Sequence, residues 1–223
     1  MWQKSLVFIL LCCLSNLCVT YAQEDTTQIK LWTIYPGYVI TLDDDTVHGY
    51  LLLKNKISNQ EKVFFFDSED AEEPIAKYKP KDIRAYKVAN RNYKTLKFSA
   101  EYTTAKYHFF LKEIDGPISM YCWYYDDKER VKIDEDDIWN STIDFSFNEN
   151  ELSIQKIGVK FGGEPVDFGD LKFLLKFKKS MSEYVSDYSG LSQKIANKQE
   201  GYKYIDLEKV IKEYNFWYQE KNK

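Results

Sequence analysis

The sequence predicts an α+β protein, with an antiparallel β-rich body that forms a sandwich or a partly open barrel and a C-terminal helical segment. Short apolar and aromatic runs separated by turn residues recur about every ten residues up to residue 160, which is typical of antiparallel strands. After 161–165, the apolar spacing changes from 2 to about 3.6, which indicates helices. Aromatic residues make up 17% of the 223 residues, and because such rings bury large areas, this content favours a packed core over disorder.

The stretch 107–125 is the clearest strand pair, and we expect the rest of the chain to pack around it. Asp115 and Gly116 form a turn signal, Pro117 follows it, and apolar residues flank the turn on both sides. Apolar side chains fall on both faces of each predicted strand. We therefore expect two central strands that are covered on both sides.

Further strands are expected on both sides of this hairpin. They are predicted at 31–42, 46–53, 62–66, 83–88, 93–98, 131–133, 142–147 and 152–159, with a brief extended stretch at 76–78. Between them, 43–45 forms an acidic turn and 54–60 a loop, and Gly37 marks a bulge or bend in the first strand. Pro80 cannot donate to a ladder, so it marks a break in strand structure.

Three helices are expected in the C-terminal segment. Asp170 is a suitable N-cap for the first, and Leu191 and Ile195 indicate a short second helix. The last helix is the clearest, because its apolar residues repeat at helical spacing: Leu207, Val210, Ile211, Tyr214 and Tyr218. Asp206 is predicted to cap this helix. Because short helices are marginal in water, we expect 161–223 to pack on the β-rich domain 23–160.

Residues 1–22 have the pattern of a cleaved signal peptide. Lys4 gives a basic start, 6–14 is a short apolar run, and small residues precede Gln23, which cleavage would leave first. An uncleaved N-terminal anchor is the alternative, although the apolar run is too short to span a bilayer comfortably. We therefore expect an exported protein that is periplasmic, outer-membrane-associated or secreted and has no membrane span after cleavage.

Cysteine usage and charge argue against a disulfide-stapled protein and a nucleic-acid-binding protein. Three of the four cysteines, Cys12, Cys13 and Cys18, lie in the predicted signal peptide. The mature chain keeps only Cys122, which can form no internal disulfide and is expected to be a small buried hydrophobe. The formal charge is −4, with 31 basic and 35 acidic residues mixed along the chain. This balance provides no basic surface for nucleic acid.

The sequence contains no recognisable catalytic or metal-binding motif. Acidic runs at 43–45, 67–73 and 134–137 are candidate Ca²⁺ ligands, but none has the spacing of an EF-hand loop, so solvated turns are the favoured interpretation. The two histidines, His48 and His108, fall in different predicted strands, and H-E-x-x-H, G-x-S-x-G and phosphate-binding glycine patterns are missing. We expect no enzyme activity, no metal and no cofactor, with a hydrolase that uses His48 or His108 as an alternative.

An aromatic run in the return strand of the hairpin is the candidate ligand-binding site. Tyr121, Trp123 and Tyr125 alternate along that strand and therefore share one face. Such rings can stack on a sugar or a peptide. Packing in the core, with some tyrosines half-buried at a rim, is the other interpretation and the favoured one.

Several short motifs resemble a family of signal-peptide-bearing envelope or secreted proteins of Bacteroidota. The N-terminal part resembles their pattern of a strand, a Gly-Asp-Thr turn and a second strand that opens with Gly: 37–42, Asp45-Thr46 and Gly49. Asp44 stands where that pattern often has Gly. A cleavage site, a Pro-x-Asp-Ile step and a last helix similar to theirs are also present: Ala22-Gln23, 78–83 and Tyr214-Asn215.

This resemblance covers most of the mature chain. It implies an exported protein with a β-rich N-terminal part and a helical C-terminal tail, and it implies no activity. Two short motifs also resemble O-glycosylation sites of that phylum: Asp25-Thr26-Thr27 and Asp45-Thr46-Val47.

Export, together with the lack of a catalytic motif, favours a non-catalytic envelope or secreted protein that acts by protein interaction. Its partner is expected to be another envelope protein or a glycan. A glycan- or peptide-binding module that uses Trp123 and the neighbouring tyrosines is the first alternative, and the hydrolase is the second.

Overall fold

The structure, a computed structural model, describes residues 29–98, 106–126 and 148–223. In these residues, the strands are β1 (Thr33–Thr41), β2 (Thr46–Leu53), β3 (Val63–Phe66), β4 (Ala76–Tyr78), β5 (Ile83–Val88), β6 (Arg91–Phe98), β7 (Lys106–Ile114), β8 (Ile118–Tyr125), β9 (Ser153–Lys160) and β10 (Val166–Asp167). The helices are α1 (Lys56–Glu61), α2 (Leu171–Leu175), α3 (Phe177–Tyr184), α4 (Ser189–Ala196) and α5 (Leu207–Lys221). Two 3-10 turns, Glu149–Glu151 and Tyr204–Asp206, precede β9 and α5.

All described strands belong to one antiparallel sheet, in the order β10-β9-β8-β7-β6-β5-β1-β2-β3-β4. Strands that follow one another in the chain pair with each other, except β4 and β5. Strand β5 instead pairs with β1 in the middle of the sheet. The sheet is not closed into a barrel, and with the helices that follow it the predicted α+β class is confirmed. The two outermost strands are short, with three residues in β4 and two in β10.

The β7–β8 hairpin lies inside the sheet and is covered on both faces, as predicted. Phe109 and Leu111 belong to the main apolar cluster, which continues into the C-terminal helices. Phe110 is also fully buried, but it lies in a separate cluster on the opposite face of the sheet. Gly116 in the turn has φ +146°, a conformation that favours glycine.

The predicted loop at 54–60 is wrong, because the chain forms α1 there. The Asn55 side chain caps this helix by accepting a hydrogen bond from the Ser58 N–H at 2.8 Å. Asn59 accepts from the Lys54 N–H at 2.7 Å and donates to the Leu52 carbonyl at 3.3 Å. The helix carries few apolar residues, so its sequence lacks helical periodicity. The hydrogen bonds that Asn59 forms at the end of β2 stabilise the helix in place of apolar packing.

The bend predicted at Gly37 is also wrong. Gly37 pairs with Gly49 of β2 and with Val88 of β5, and the register shifts only later, between Ile40 and Thr41. A side chain at Gly37 would place its Cβ 2.0 Å from the Lys87 carbonyl oxygen. Glycine is therefore required here by the close approach of two strands.

The acidic turn at 43–45 is present, and Asp44 in it has φ +68°. This left-handed conformation is the one that glycine adopts without strain. Glycine in place of Asp44 would therefore fit this turn without strain.

The helical segment begins as predicted and is then more divided. Asp170 caps α2 by accepting a hydrogen bond from the Phe173 N–H at 3.1 Å. The first predicted helix is two helices, because the chain breaks at Lys176 between α2 and α3. The Asp206 carboxylate accepts from the Lys203 N–H at 3.0 Å, and no side-chain bond from Asp206 to α5 is present. Asp206 therefore caps the 3-10 turn, which corrects the predicted role at α5.

Two buried side-chain amides hold the ends of β8. Gln60 of α1 accepts from the Tyr124 N–H at 2.6 Å and donates to the Tyr124 carbonyl at 2.8 Å. Asn215 of α5 accepts from the Ile118 N–H and donates to the Ile118 carbonyl, both at 2.8 Å. Each amide forms a pair of bonds like those of a neighbouring strand, and together they attach two helices to the central hairpin.

Five sequence predictions lie outside the described residues: the signal peptide at 1–22, the glycosylation-like motif at 25–27, the strands at 131–133 and 142–147, and the acidic run at 134–137. Among the helices that the structure describes, none has the length and apolar character needed to cross a bilayer.

Candidate functional site

The three predicted ligand-binding residues lie on one face of β8 and differ in burial. Tyr121 is only 3% exposed and packs with Phe110 and Ile157, so its ring offers no stacking surface. Trp123 and Tyr125 are half-buried, and their rings stack with centroids 5.5 Å apart. The pair forms a small aromatic surface, and its role in binding stays a prediction.

The structure does not bring the two histidines together. His48 is exposed and packs against Tyr38, whereas His108 lies beside Trp123 with ring centroids 5.4 Å apart. β2 and β7 are four strand spacings apart in the sheet, or about 19 Å. Within the described ranges, no three histidine, cysteine, aspartate or glutamate side chains are grouped closely enough to hold a metal ion.

Cys122 is buried in the main apolar cluster, as predicted. Burial raises the pKa of its thiol to about 12. The protonated thiol is a weak nucleophile, so this residue contributes to packing and offers no reactive thiolate at neutral pH.

Sequence reasoning missed a basic groove on the helical layer, which we call the lysine groove. It has a volume of about 780 Å³. It lies between the α2–α3 junction on one side and the segment from the end of α4 to the 3-10 turn on the other. The lining residues are Leu174, Leu175, Lys176, Phe177, Lys178, Lys179, Ile195, Lys198, Tyr202, Lys203 and Tyr204.

Helix ends position the lysines of this groove. The break between α2 and α3 falls at Lys176, and α3 then carries Lys178 and Lys179. Beyond the end of α4, Lys198 has φ +53°, the left-handed conformation usually occupied by glycine or asparagine. The next N–H, of Gln199, returns to the Lys194 carbonyl at 3.0 Å, which closes the helix end.

The charge of the groove is opposite to that of the whole chain. Among the described residues that line it, five are lysines and none is acidic, although the chain carries −4 in total. All five lysines are exposed. Of these five lysines, Lys179 alone forms an ion pair within the described residues, with Glu183 at 4.0 Å. This arrangement leaves a local positive field available to an anionic partner.

The floor of the groove is apolar and fixed by the core. Phe177, Ile195 and Tyr202 are buried members of the main cluster. The Tyr202 hydroxyl donates to Glu213 at 2.9 Å and accepts from Lys194 at 3.1 Å. A rigid floor of this kind is largely formed before a ligand arrives, which reduces the entropy lost on binding.

Aliphatic side chains protrude at the groove and beside it. Leu175 is 78% exposed and Ile205 is 89% exposed. Leu171, one turn before Leu175, is also exposed. Single exposed apolar residues are common, whereas several close together are unfavourable in water. An exposed surface that combines several apolar residues with lysines is therefore typical of an interaction site.

A second groove of about 500 Å³ lies near the β1–β2 turn and is a weaker candidate. Arg84, Leu42 and Tyr107 are among its lining residues. The Arg84 guanidinium forms an ion pair with Asp44 at 2.9 Å and donates to the Leu42 carbonyl at 2.8 Å. The Arg84 guanidinium is therefore already bound within the protein and is less available to a ligand.

Comparison of the chain with protein-family models, with curated proteins and with solved structures returned no match. The fold and the site define a class: an α+β protein whose open antiparallel sheet carries a helical layer with a basic, apolar-floored groove.

Proposed function

We propose that this is an exported, non-catalytic envelope or secreted protein that binds an acidic partner protein through the lysine groove. The observation that carries the proposal is one concave surface that combines an apolar floor with five lysines and, in the part of the chain that the structure describes, no lining carboxylate. Surfaces that combine a buried apolar centre with a charged rim are typical of protein recognition.

The electrostatics of the groove support recognition of an anionic partner. Each exposed ion pair contributes only about 0.2–1 kcal/mol, so the lysines alone give weak affinity. Burial of the partner's apolar groups on Phe177 and Leu175 adds roughly 25 cal/mol per Å². We expect the charges to steer association and select the partner, and the floor to hold it.

The dispersed ionisable groups support binding over catalysis. His48 and His108 lie on distant strands, and the thiol of Cys122 is buried and protonated. Inside the lysine groove, the ionisable side chains are lysines and tyrosines, which provide no obvious acid–base pair for neutral pH.

Capture from envelope fractions by the immobilised mature chain tests the proposal. The groove variant carries Lys176→Glu, Lys178→Glu and Lys203→Glu. The control carries the same charge change at exposed lysines elsewhere: Lys30→Glu, Lys97→Glu and Lys212→Glu. We expect a protein held by the wild type and the control, lost by the groove variant and eluted at about 0.5 M salt. It should then bind directly as a purified protein.

Retention of the same proteins by the groove variant and the wild type would show that the proposal is wrong. Catalytic turnover of a substrate by the wild-type chain would also contradict it.

A second candidate function, glycan or peptide binding, is favoured by the stacked, half-buried pair of Trp123 and Tyr125. Among the described residues, the buried indole Nε1 of Trp123 has no hydrogen-bond partner, so a polar ligand that reached it would gain a donor. A glycan array tests this candidate. Binding that survives Trp123→Ala and Tyr125→Ala would exclude this surface.

A further inference from the structure

We infer that the lysine groove receives an acidic amphipathic α-helix of the partner protein. This inference rests on the proposed function and goes further, because it specifies the shape and charge pattern of the segment that binds.

The lysines come from two separate segments that flank the apolar floor. Lys176, Lys178 and Lys179 lie at the α2–α3 junction, whereas Lys198 and Lys203 lie beyond α4. The floor between them is formed by Phe177, Ile195 and Tyr202. A complementary segment needs apolar groups along its centre and carboxylates on both flanks.

A helix satisfies this three-part pattern and an extended strand does not. A helix with apolar residues at i, i+3, i+4 and i+7 has one apolar stripe, and acidic residues can border that stripe on both sides. Side chains of a strand point alternately to two opposite faces. Its acidic residues would then point away from the floor into solvent, beyond the two rows of lysines.

The number of lysines argues against a single-headed lipid. A fatty acid or a similar amphiphile carries its charge at one end, so it can neutralise one part of the rim. Five exposed lysines on two sides match several separate carboxylates. The groove is also concave, whereas a bilayer surface presents its charge as a plane.

The size of the groove fits a short helical segment. A helix has a diameter of about 10 Å and rises 1.5 Å per residue, so about 780 Å³ corresponds to roughly 10 Å of helix, or about seven residues. Two turns of helix can place three or four apolar residues on the floor.

Fluorescence anisotropy with the mature chain and synthetic peptides of about 14 residues tests the inference. The first peptide has Leu at helical spacing with Glu on both flanks. The second has the same composition in strict alternation. The third replaces every Glu of the first by Lys, and anionic phosphatidylglycerol vesicles form a fourth arm.

We expect the first peptide to bind at least about tenfold more tightly than the second, and its circular dichroism should become more helical on binding. Its affinity should fall about tenfold when the protein carries Lys178→Glu and Lys203→Glu. The control variant with Lys97→Glu and Lys212→Glu should bind as the wild type does. The third peptide and the vesicles should not bind.

Equal binding of the alternating peptide, or binding of the vesicles alone, would overturn the inference. If the groove variant loses its captured partner but the wild type does not prefer the helical peptide, the inference fails and the proposed function stands. If neither assay depends on the groove lysines, both fail.

Discussion

Two polar regions of the molecule, the amides that hold β8 and the lysines of the groove, follow opposite rules. Gln60 and Asn215 are buried, and both atoms of each amide bond to backbone groups of one strand residue. The groove lysines are exposed, and the described residues that line the groove with them include no carboxylate. Buried polar groups with complete hydrogen bonding fix the fold, whereas exposed charges with few internal partners are available for recognition.

The comparison predicts that stability and binding respond to different residues. Changes at the amides should lower the free energy of unfolding, and changes in the groove should lower affinity with little effect on stability.

Replacing either amide by an apolar residue of similar size should cause the largest loss. Gln60→Met leaves the Tyr124 N–H and carbonyl unpaired, and Asn215→Leu does the same at Ile118. Each buried unpaired group costs about 1–3 kcal/mol, so we expect a loss of about 4 kcal/mol from either change. Urea unfolding measures it. The exposed Gln219→Met is the matched control and should change stability by less than about 0.5 kcal/mol. A loss no larger than that of the control would contradict the clamping role.

Lys54 differs from the groove lysines because it is buried, with only 5% of its surface exposed. Its Nζ lies 4.7 Å from the centre of the Phe64 ring. Burial, together with the charge of Lys62, lowers the pKa of Lys54 from 10.5 to about 8. The unfolded chain then holds a proton that the folded chain has released, so stability rises as the pH rises from about 8 to about 10.5.

The size of this rise is about 3 kcal/mol, from about 1.4 kcal/mol for each tenfold change in proton affinity. Urea unfolding of the wild type and of Lys54→Met at several pH values isolates it, because the other titrating groups are shared. The difference between the two proteins should change across this window and be constant below it. A constant difference at all pH values would show that Lys54 is not desolvated.

Lys198 is the groove residue at which stability and binding both respond, because it lines the groove and has a strained backbone conformation. Lys198→Gly removes the strain of a side chain at φ +53°, and we expect it to raise the free energy of unfolding by about 1 kcal/mol. The same change removes one groove charge, so affinity for the helical peptide should fall. Lys198→Gln, which keeps the strain and removes the charge, separates the two effects. A destabilised Lys198→Gly variant would contradict the argument.

The groove variant with three lysines changed to glutamate should show the smallest change in stability. Surface charges away from packing contacts usually alter stability by less than about 0.5 kcal/mol, so its thermal transition should nearly match that of the wild type. Its loss of partner binding then reports recognition directly. A large fall in stability would mean that these lysines also support the fold.

The sequence predicts those parts of the fold that depend on local pattern. The hairpin of β7 and β8 has a turn signal at Asp115-Gly116 and apolar runs on both sides, and it forms as predicted. Helix α1 has no such pattern. It is held by side-chain hydrogen bonds from Asn59 and Gln60 to backbone carbonyls outside the helix. Tertiary contacts of this kind leave no periodic signal in the chain.

The lysine groove was beyond prediction for a related reason. Lys178 and Lys203 are separated by a helix and a turn, and each alone resembles a solvated surface charge. Three lysines within four residues, Lys176, Lys178 and Lys179, lie beside the exposed Leu175 and were the available local signal. These lysines form a groove only when folding brings the segment with Lys198 and Lys203 beside them.

The short outermost strands have a consequence for the behaviour of the protein at high concentration. In the described sheet, β10 pairs with two residues of β9 and β3 pairs with two residues of β2, so parts of these longer strands also lie at the margins. Prolines lie close to the outermost strands at Pro74, Pro80 and Pro165. An open sheet of this size with long, straight margins would recruit further copies and grow into fibrils. Margins that are interrupted in this way, with prolines beside them, offer an incoming chain few consecutive backbone groups, so growth by edge-to-edge pairing is disfavoured.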